Sequence, residues 1–280
     1  MASFLKENRK MVLSVLISLI LLVNVCVYLS SKVSDYLHQS ATDIVGAQAV
    51  DAVSFCVDKN YFKDSPPFIL DSIDTASENM FDSFVLDTYL TKDGKTVCVP
   101  QENLKSIIGE KGTVGSFTYY DLLQHDLLFK GKKTGSPILL CEDMIFHCTE
   151  ISVTPVVYPH NIDSAHQIEF ILKSYEHSGM IIVMSDDFSL ICEIAEKYPL
   201  ISLWYKVDEV TDEIIESMNV VKKVEIIFNS KNSKNDEETV EKLKQAEIPF
   251  GCYDLNSRKA LKKYISLGVS DIITSKFVKV

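Results

Sequence analysis

Few residues of this 280-residue chain combine a reactive type with a setting that would gather them, and those that do lie within apolar runs or just after them. Asp58 and Lys59 follow AVSFCV (52–57), Asp87 lies within SFVLDT (83–88), and His160 comes one proline after ISVTPVVY (151–158). A carboxylate, an ammonium and an imidazole brought together would suit proton transfer or the holding of a phosphoryl oxygen. Histidine exchanges a proton near neutral pH, lysine meets phosphate as a point charge, and a carboxylate ligates hard cations. Trp204 and Tyr205 end another run, LISLWY, and either line a pocket or belong to the core. Ser185, Asp186, Asp187, Asn229 and Asn256 end runs as well, but such positions commonly cap helices. Ser185-Asp186-Asp187 reads as a cap with an acidic first turn, worth about 1 kcal/mol. The other histidines, His38, His125, His147, His166 and His177, fall on polar helical or loop stretches.

Positioning these groups requires a scaffold. Eight short apolar runs read as strands: the four named above, MIIVMS (180–185), VEIIFN (224–229), FGCYDL (250–255) and DIITS (271–275). They are rich in Ile and Val with little alternation, as a parallel sheet covered on both faces requires. Amphipathic stretches such as DDFSLICEIAEKYP, DEETVEKLKQAEI and NSRKALKKYISLG lie between them, punctuated by Asn256 or Ser257, Pro199 and Gly268. Eight strands with helices between them over about 230 residues predict a (β/α)8 barrel, whose usual size is about 250 residues and whose chemistry sits at the C-terminal ends of the strands. Asp58, Lys59, Asp87 and His160 all fall at that end. An open doubly wound sheet fits less well, because none of the ten glycines forms G-x-G-x-x-G.

The second strand is followed by a distinct signal, TKDG at 91–94, flanked by LDTYLT and KTVCVP. Asp-Gly tolerates positive φ at both central positions of a type I′ turn, so a β-hairpin is expected there. Here the chain resembles the glycerophosphodiester phosphodiesterase family. Its barrels carry an E-x-D metal pair on strand two, then T-K-D-G, then a returning arm ending in His-Asp. The likeness runs from 52 to 280 and is closest at TKDG and at GVSDIITS near the end. It implies a barrel that hydrolyses phosphodiesters with a divalent cation and two histidines.

The positions that would carry that chemistry are mostly replaced. Where the family closes strand one with His-Arg-Gly, this chain has Asp58-Lys59-Asn60, and its Glu-Asn after the first proline becomes Pro67-Phe68. The strand-two Glu becomes Val85, leaving Asp87 as the only retained ligand. The His-Asp of the returning arm becomes Pro100-Gln101, and the strand-three Glu-x-Lys falls on Thr154 and Val156. The resemblance and its departures therefore imply a degenerate member that serves as a scaffold or binds a ligand through Asp87, Lys59, Gln101 and Trp204, with Asp87 a vestigial metal ligand and no cofactor. The alternative is a hydrolase rebuilt around Asp58, Asp87 and His160, with Ca²⁺ or Mg²⁺ entering only in that case. Its ligand would be phosphodiester- or glycerophosphate-like, or its partner a protein.

Residues 11–30 carry no charge, and at about 1.5 Å per residue they span a hydrocarbon core of about 30 Å. Lys6, Arg9 and Lys10 precede them, so residues 1–10 are expected to stay cytoplasmic and the domain over 51–280 to lie outside the cell membrane. A juxtamembrane helix over 31–50 is expected to pack beside the eighth and first strands. The net charge of −11 excludes nucleic acid as a natural partner. Seven cysteines without C-x-x-C read as buried thiols.

Overall fold

The computed structural model describes residues 53–218, 221, 223–255 and 257–275. Strand β1 (Ser54–Val57) is followed by helix α1 (Leu70–Glu78) and strand β2 (Ser83–Leu90). An excursion then carries β3 (Thr96–Cys98), α2 (Tyr119–Leu122), β4 (Leu128–Phe129), β5 (Lys132–Lys133) and β6 (Leu139–Leu140). After α3 (Cys141–Glu150) the alternation resumes with β7 (Thr154–Pro159), α4 (Glu169–Tyr175), β8 (Ile182–Ser185), α5 (Phe188–Lys197) and β9 (Ser202–Val207). It ends with α6 (Asp212–Met218), β10 (Val224–Asn229), α7 (Glu237–Gln245), β11 (Phe250–Tyr253), α8 (Arg258–Ser266) and β12 (Asp271–Thr274).

Strands β1, β2 and β7 to β12 pair in parallel, and β1 bonds both β2 and β12, so the sheet closes into an eight-stranded barrel. Each of the eight expected runs supplies one strand. Every residue of β2 except Leu90 is buried, because helices cover one side of the sheet and the barrel interior the other. Cys56, Val85, Val156, Met184, Trp204 and Ile227 belong to one apolar cluster that fills the interior. A second cluster lies under the excursion, where Tyr89, Val97, Val99, Leu104, Ile107 and Val114 pack together.

The hairpin after β2 is present, with Leu90 opposite Thr96, but its turn differs from expectation. The Gly94 N–H donates to the Thr91 carbonyl, the Thr91 N–H to the Lys95 carbonyl, and Gly94 alone has positive φ, at 75°. That is a type I turn followed by a left-handed glycine. Asp93 keeps ordinary φ because its carboxylate is occupied, accepting from Thr91 Oγ1 at 2.6 Å and from the Tyr119 N–H at 2.9 Å. Two adjacent positive-φ residues occur instead at Lys130 and Gly131, between β4 and β5.

Caps follow the sequence. Asp187 accepts from the Ser189 and Leu190 N–H groups at the start of α5, and Ser257 from the Ala260 N–H at the start of α8, which ends before Gly268 at φ 85°. Among the described residues no helix is long and apolar enough to cross a membrane, and the expected 11–30 span and 31–50 helix lie outside them.

The N-terminal end of the barrel holds an unusual carboxyl pair. Glu225 accepts from Ser270 Oγ at 2.7 Å and is hydrogen-bonded to Asp271. Gly251 is required beside it, since a Cβ there would collide with the Asp271 backbone oxygen and stand 2.8 Å from the Ile227 side chain. Burial, reinforced by the Asp271 charge, pushes the Glu225 carboxyl up to about 8. The folded protein thus holds a proton that the unfolded chain releases near 4.5, so this contribution to stability is full below that pH and lost as pH rises toward 8. Thermal unfolding should show a Tm that falls across this window, and Glu225→Gln should flatten the fall and raise the Tm at pH 8.

Candidate functional site

Strand parity builds the site. Val85 and Asp87 on β2, and Val156 and Tyr158 on β7, share a face, with Val85 beside Val156 and Asp87 beside Tyr158. Val85 and Val156 lie in the interior apolar cluster, so Asp87 stands one step above a hydrophobic floor. His160 continues the β7 parity, and its N–H donates to the Thr88 carbonyl at 3.1 Å, which fixes the imidazole above Asp87.

Asp87 is 3% exposed, and a carboxylate buried to that degree must be paired. Its Oδ1 meets His160 Nε2 at 2.5 Å and Lys59 Nζ at 3.2 Å. Lys59 Nζ also donates to the Pro100 carbonyl at 2.6 Å, and the Val99 N–H donates to the Asp87 carbonyl at 3.2 Å. Four segments therefore converge on one residue: the end of β1, β2, the end of β7 and the returning arm of the hairpin. The His160 ring stacks on Tyr89 with centroids 4.8 Å apart and leans on Tyr158 at 4.3 Å. Burial, helped by the charges of Asp87 and Glu102, pushes the Tyr89 phenol up to about 12.

Further round the rim, Lys206 Nζ lies over the Tyr158 ring at 4.7 Å and over the Tyr253 ring at 4.9 Å, and donates to Tyr158 Oη at 3.1 Å. Tyr158 in turn donates to Asp186 at 3.4 Å, and Tyr253 to Asp208 at 3.4 Å. Burial first and then nearby carboxylates raise both phenols, Tyr253 to about 12, so both remain donors.

Three of the sequence candidates, Lys59, Asp87 and His160, thus meet at a single carboxylate. Asp58 does not join them by a hydrogen bond. Its carboxylate accepts from the Asn60 N–H at 2.8 Å and Asn60 Nδ2 at 3.3 Å, capping the turn that carries Lys59. Burial raises its pKa, offset by Asn60 and reinforced by the Asp87 charge. Gln101 points into its own loop, donating to Ser106 Oγ at 2.7 Å and to the Asn103 carbonyl at 3.1 Å. Trp204 belongs to the interior core, a layer below the mouth. Sequence reasoning overlooked Lys206; the available signal was a cation two residues after Trp204, hence on the same face of an otherwise apolar strand.

The family model for the glycerophosphoryl diester phosphodiesterase family matches residues 70–278. The chain belongs to that family. Solved structures of similar fold include a phosphodiesterase of Oleispira antarctica in complex with the product sn-glycerol-3-phosphate, at TM-score 0.71 and 14% identity over 81% of this chain and 95% of that one. A glycerophosphodiester phosphodiesterase of Thermotoga maritima has TM-score 0.66 and 18% identity over 80% and 95%. One from Silicibacter pomeroyi, described as a glycerophosphoryl diester phosphodiesterase, has TM-score 0.68 and 11% identity over 81% and 91%. No curated protein matches the sequence.

The donor set does not fit the divalent cation that the glycerophosphoryl diester phosphodiesterase resemblance implies. Ca²⁺ or Mg²⁺ takes at least six oxygen ligands, with carboxylates supplying charge. Among the described residues no three His, Cys, Asp or Glu side chains gather as a metal set, and Asp87 Oδ1 is already held by two nitrogen groups. The half-buried Lys59 ammonium supplies the charge that Asp87 requires. Lys59→Met should cost about 2 kcal/mol of stability, because it strands part of a buried charge. The Lys59→Met/Asp87→Asn double variant should cost clearly less than the sum of the single changes, as a double-mutant cycle of chemical unfolding would show.

Proposed function

We propose that this chain is a membrane-anchored, degenerate member of the glycerophosphoryl diester phosphodiesterase family. On this reading its barrel mouth binds a small phosphodiester- or glycerophosphate-like ligand outside the cell membrane without cleaving it. The observation that carries the reading is the closure of Asp87 by Lys59 at 3.2 Å and His160 at 2.5 Å. Cleaving a phosphodiester needs charge stabilisation on the phosphoryl oxygens and a proton donor for the departing alkoxide. Here the Lys59 ammonium is taken up by the Asp87 carboxylate, and His160 Nε2 is spent on that same carboxylate. What remains is a polar rim over an apolar floor, lined by tyrosines, which suits recognition. The ligand class draws support from the Oleispira relative, which was solved with sn-glycerol-3-phosphate. The uncharged run at 11–30 motivates the anchor.

One observation favours a second reading. The short Asp87–His160 contact is the geometry by which a carboxylate orients an imidazole as a general base. A hydrolase built on that pair would differ from the alternative read in the sequence by needing no divalent cation, and Asp58, which caps the Lys59 turn, would stand outside the pair.

The detergent-solubilised full chain, incubated with glycerophosphodiesters, is expected to release no glycerol phosphate with Ca²⁺, with Mg²⁺ or in EDTA. Release that requires a divalent cation and disappears in Asp87→Asn would overturn the proposal. Release in EDTA that disappears in His160→Asn would establish the second reading in its place.

A further inference from the structure

We propose that Lys206 is the group that receives the ligand's anion, so that recognition needs no divalent cation and prefers a singly charged phosphodiester to a doubly charged phosphomonoester. The inference rests on the binding function proposed above and adds to it the recognising residue and the ligand's charge.

The cations of the mouth are not equivalent. Lys59 is paired with Asp87 at 3.2 Å, and Lys231 with Asp254 at 3.2 Å. Lys206 is half-buried, and among the described residues it meets two ring faces and one phenol oxygen. The rings at 4.7 and 4.9 Å hold an ammonium in place through their quadrupoles but carry no net charge to cancel it. An ammonium has three N–H donors, and Tyr158 Oη takes one of Lys206's. The strand sets its direction as well. Trp204 faces the barrel interior, so Lys206, two residues further along β9, rises on the same side at the rim. Among the described residues Lys206 has no ion-pair partner, so the arrangement is a fixed cation with donors to spare, beside the aromatic wall formed by Tyr158.

The charge preference comes from what stands behind the tyrosines. Asp186 is reached through the Tyr158 hydroxyl and Asp208 through the Tyr253 hydroxyl, and both carboxylates are exposed. Each is linked to Lys206 only through a tyrosine, and a second negative charge on the ligand would meet their repulsion. A phosphodiester carries one negative charge at neutral pH, whereas a phosphomonoester carries about 1.5 to 2. One ammonium flanked by two carboxylates matches the former.

Calorimetry of the detergent-solubilised full chain in EDTA, with glycerophosphoglycerol and with glycerol 3-phosphate as probes, tests this directly. The diester should bind more tightly than the monoester. Lys206→Met should weaken diester binding about tenfold or more, the loss expected for one charge-assisted hydrogen bond, while Lys206→Arg retains most of it. Asp186→Asn, a change at an exposed site, should narrow the gap between the probes, which keeps the proposal testable if Lys206→Met does not fold. Undiminished diester binding by folded Lys206→Met, binding that vanishes in EDTA, or tighter binding of the monoester would each overturn the role of Lys206 while leaving the binding function standing. Failure of the native chain to bind either probe, with or without a divalent cation, would remove both.

Discussion

A nearly buried carboxylate cannot stay ionised alone, and Asp87 meets that constraint with groups that the rest of the site is arranged to deliver. Lys59 arrives on the turn that Asp58 caps, His160 arrives one residue past β7, and the Pro100 carbonyl takes a second hydrogen bond from Lys59. The two sides of the contact depend on each other. An unpaired Asp87 would be costly above the apolar layer formed by Val85, Val156 and Trp204. Without Asp87, Lys59 and His160 would crowd two nitrogen groups together with no acceptor between them. The same economy governs the mouth's chemistry, because a carboxylate occupied by an ammonium has little left for a dication.

The excursion after β2 serves this centre. Its hairpin places Val99 and Pro100 against the end of β1 and Asp87, and its own apolar cluster includes Tyr89, the ring on which His160 stacks. The barrel and the excursion are therefore joined through the groups that define the mouth. The opposite end of the barrel is tuned differently: there burial, and after it the charge of Asp271, raises the Glu225 carboxyl.

Much of this was legible in the sequence because local pattern and tertiary role coincide. Eight Ile- and Val-rich runs became eight strands, since a strand buried on both faces has no reason to alternate. Lys59 and His160 could be singled out because they follow such runs, and Asp87 because it is the one ligand of the resembled family's E-x-D pair that this chain keeps. Their mutual contact could not, since it depends on the register of β2 against β7 and on a turn that swings Lys59 across to the hairpin. The turn at TKDG came out as type I because Asp93 is used by Thr91 and by Tyr119, the latter 26 residues away, a tertiary demand that a dipeptide rule does not contain. Helix α3 was readable in principle, with Cys141, Met144, Ile145 and Cys148 buried at helical spacing. Lys206 was hidden for a different reason: its place between the Tyr158 and Tyr253 rings appears only when the neighbouring strands are in place.

The central claim is that the one retained carboxylate holds an ammonium in the role that a dication fills when several carboxylates are present. The most direct measurement is a Ca²⁺ titration of the native chain by calorimetry, alongside Asp87→Asn. The account predicts no saturable heat that depends on Asp87. Saturable Ca²⁺ binding to the native chain that disappears in Asp87→Asn would contradict it.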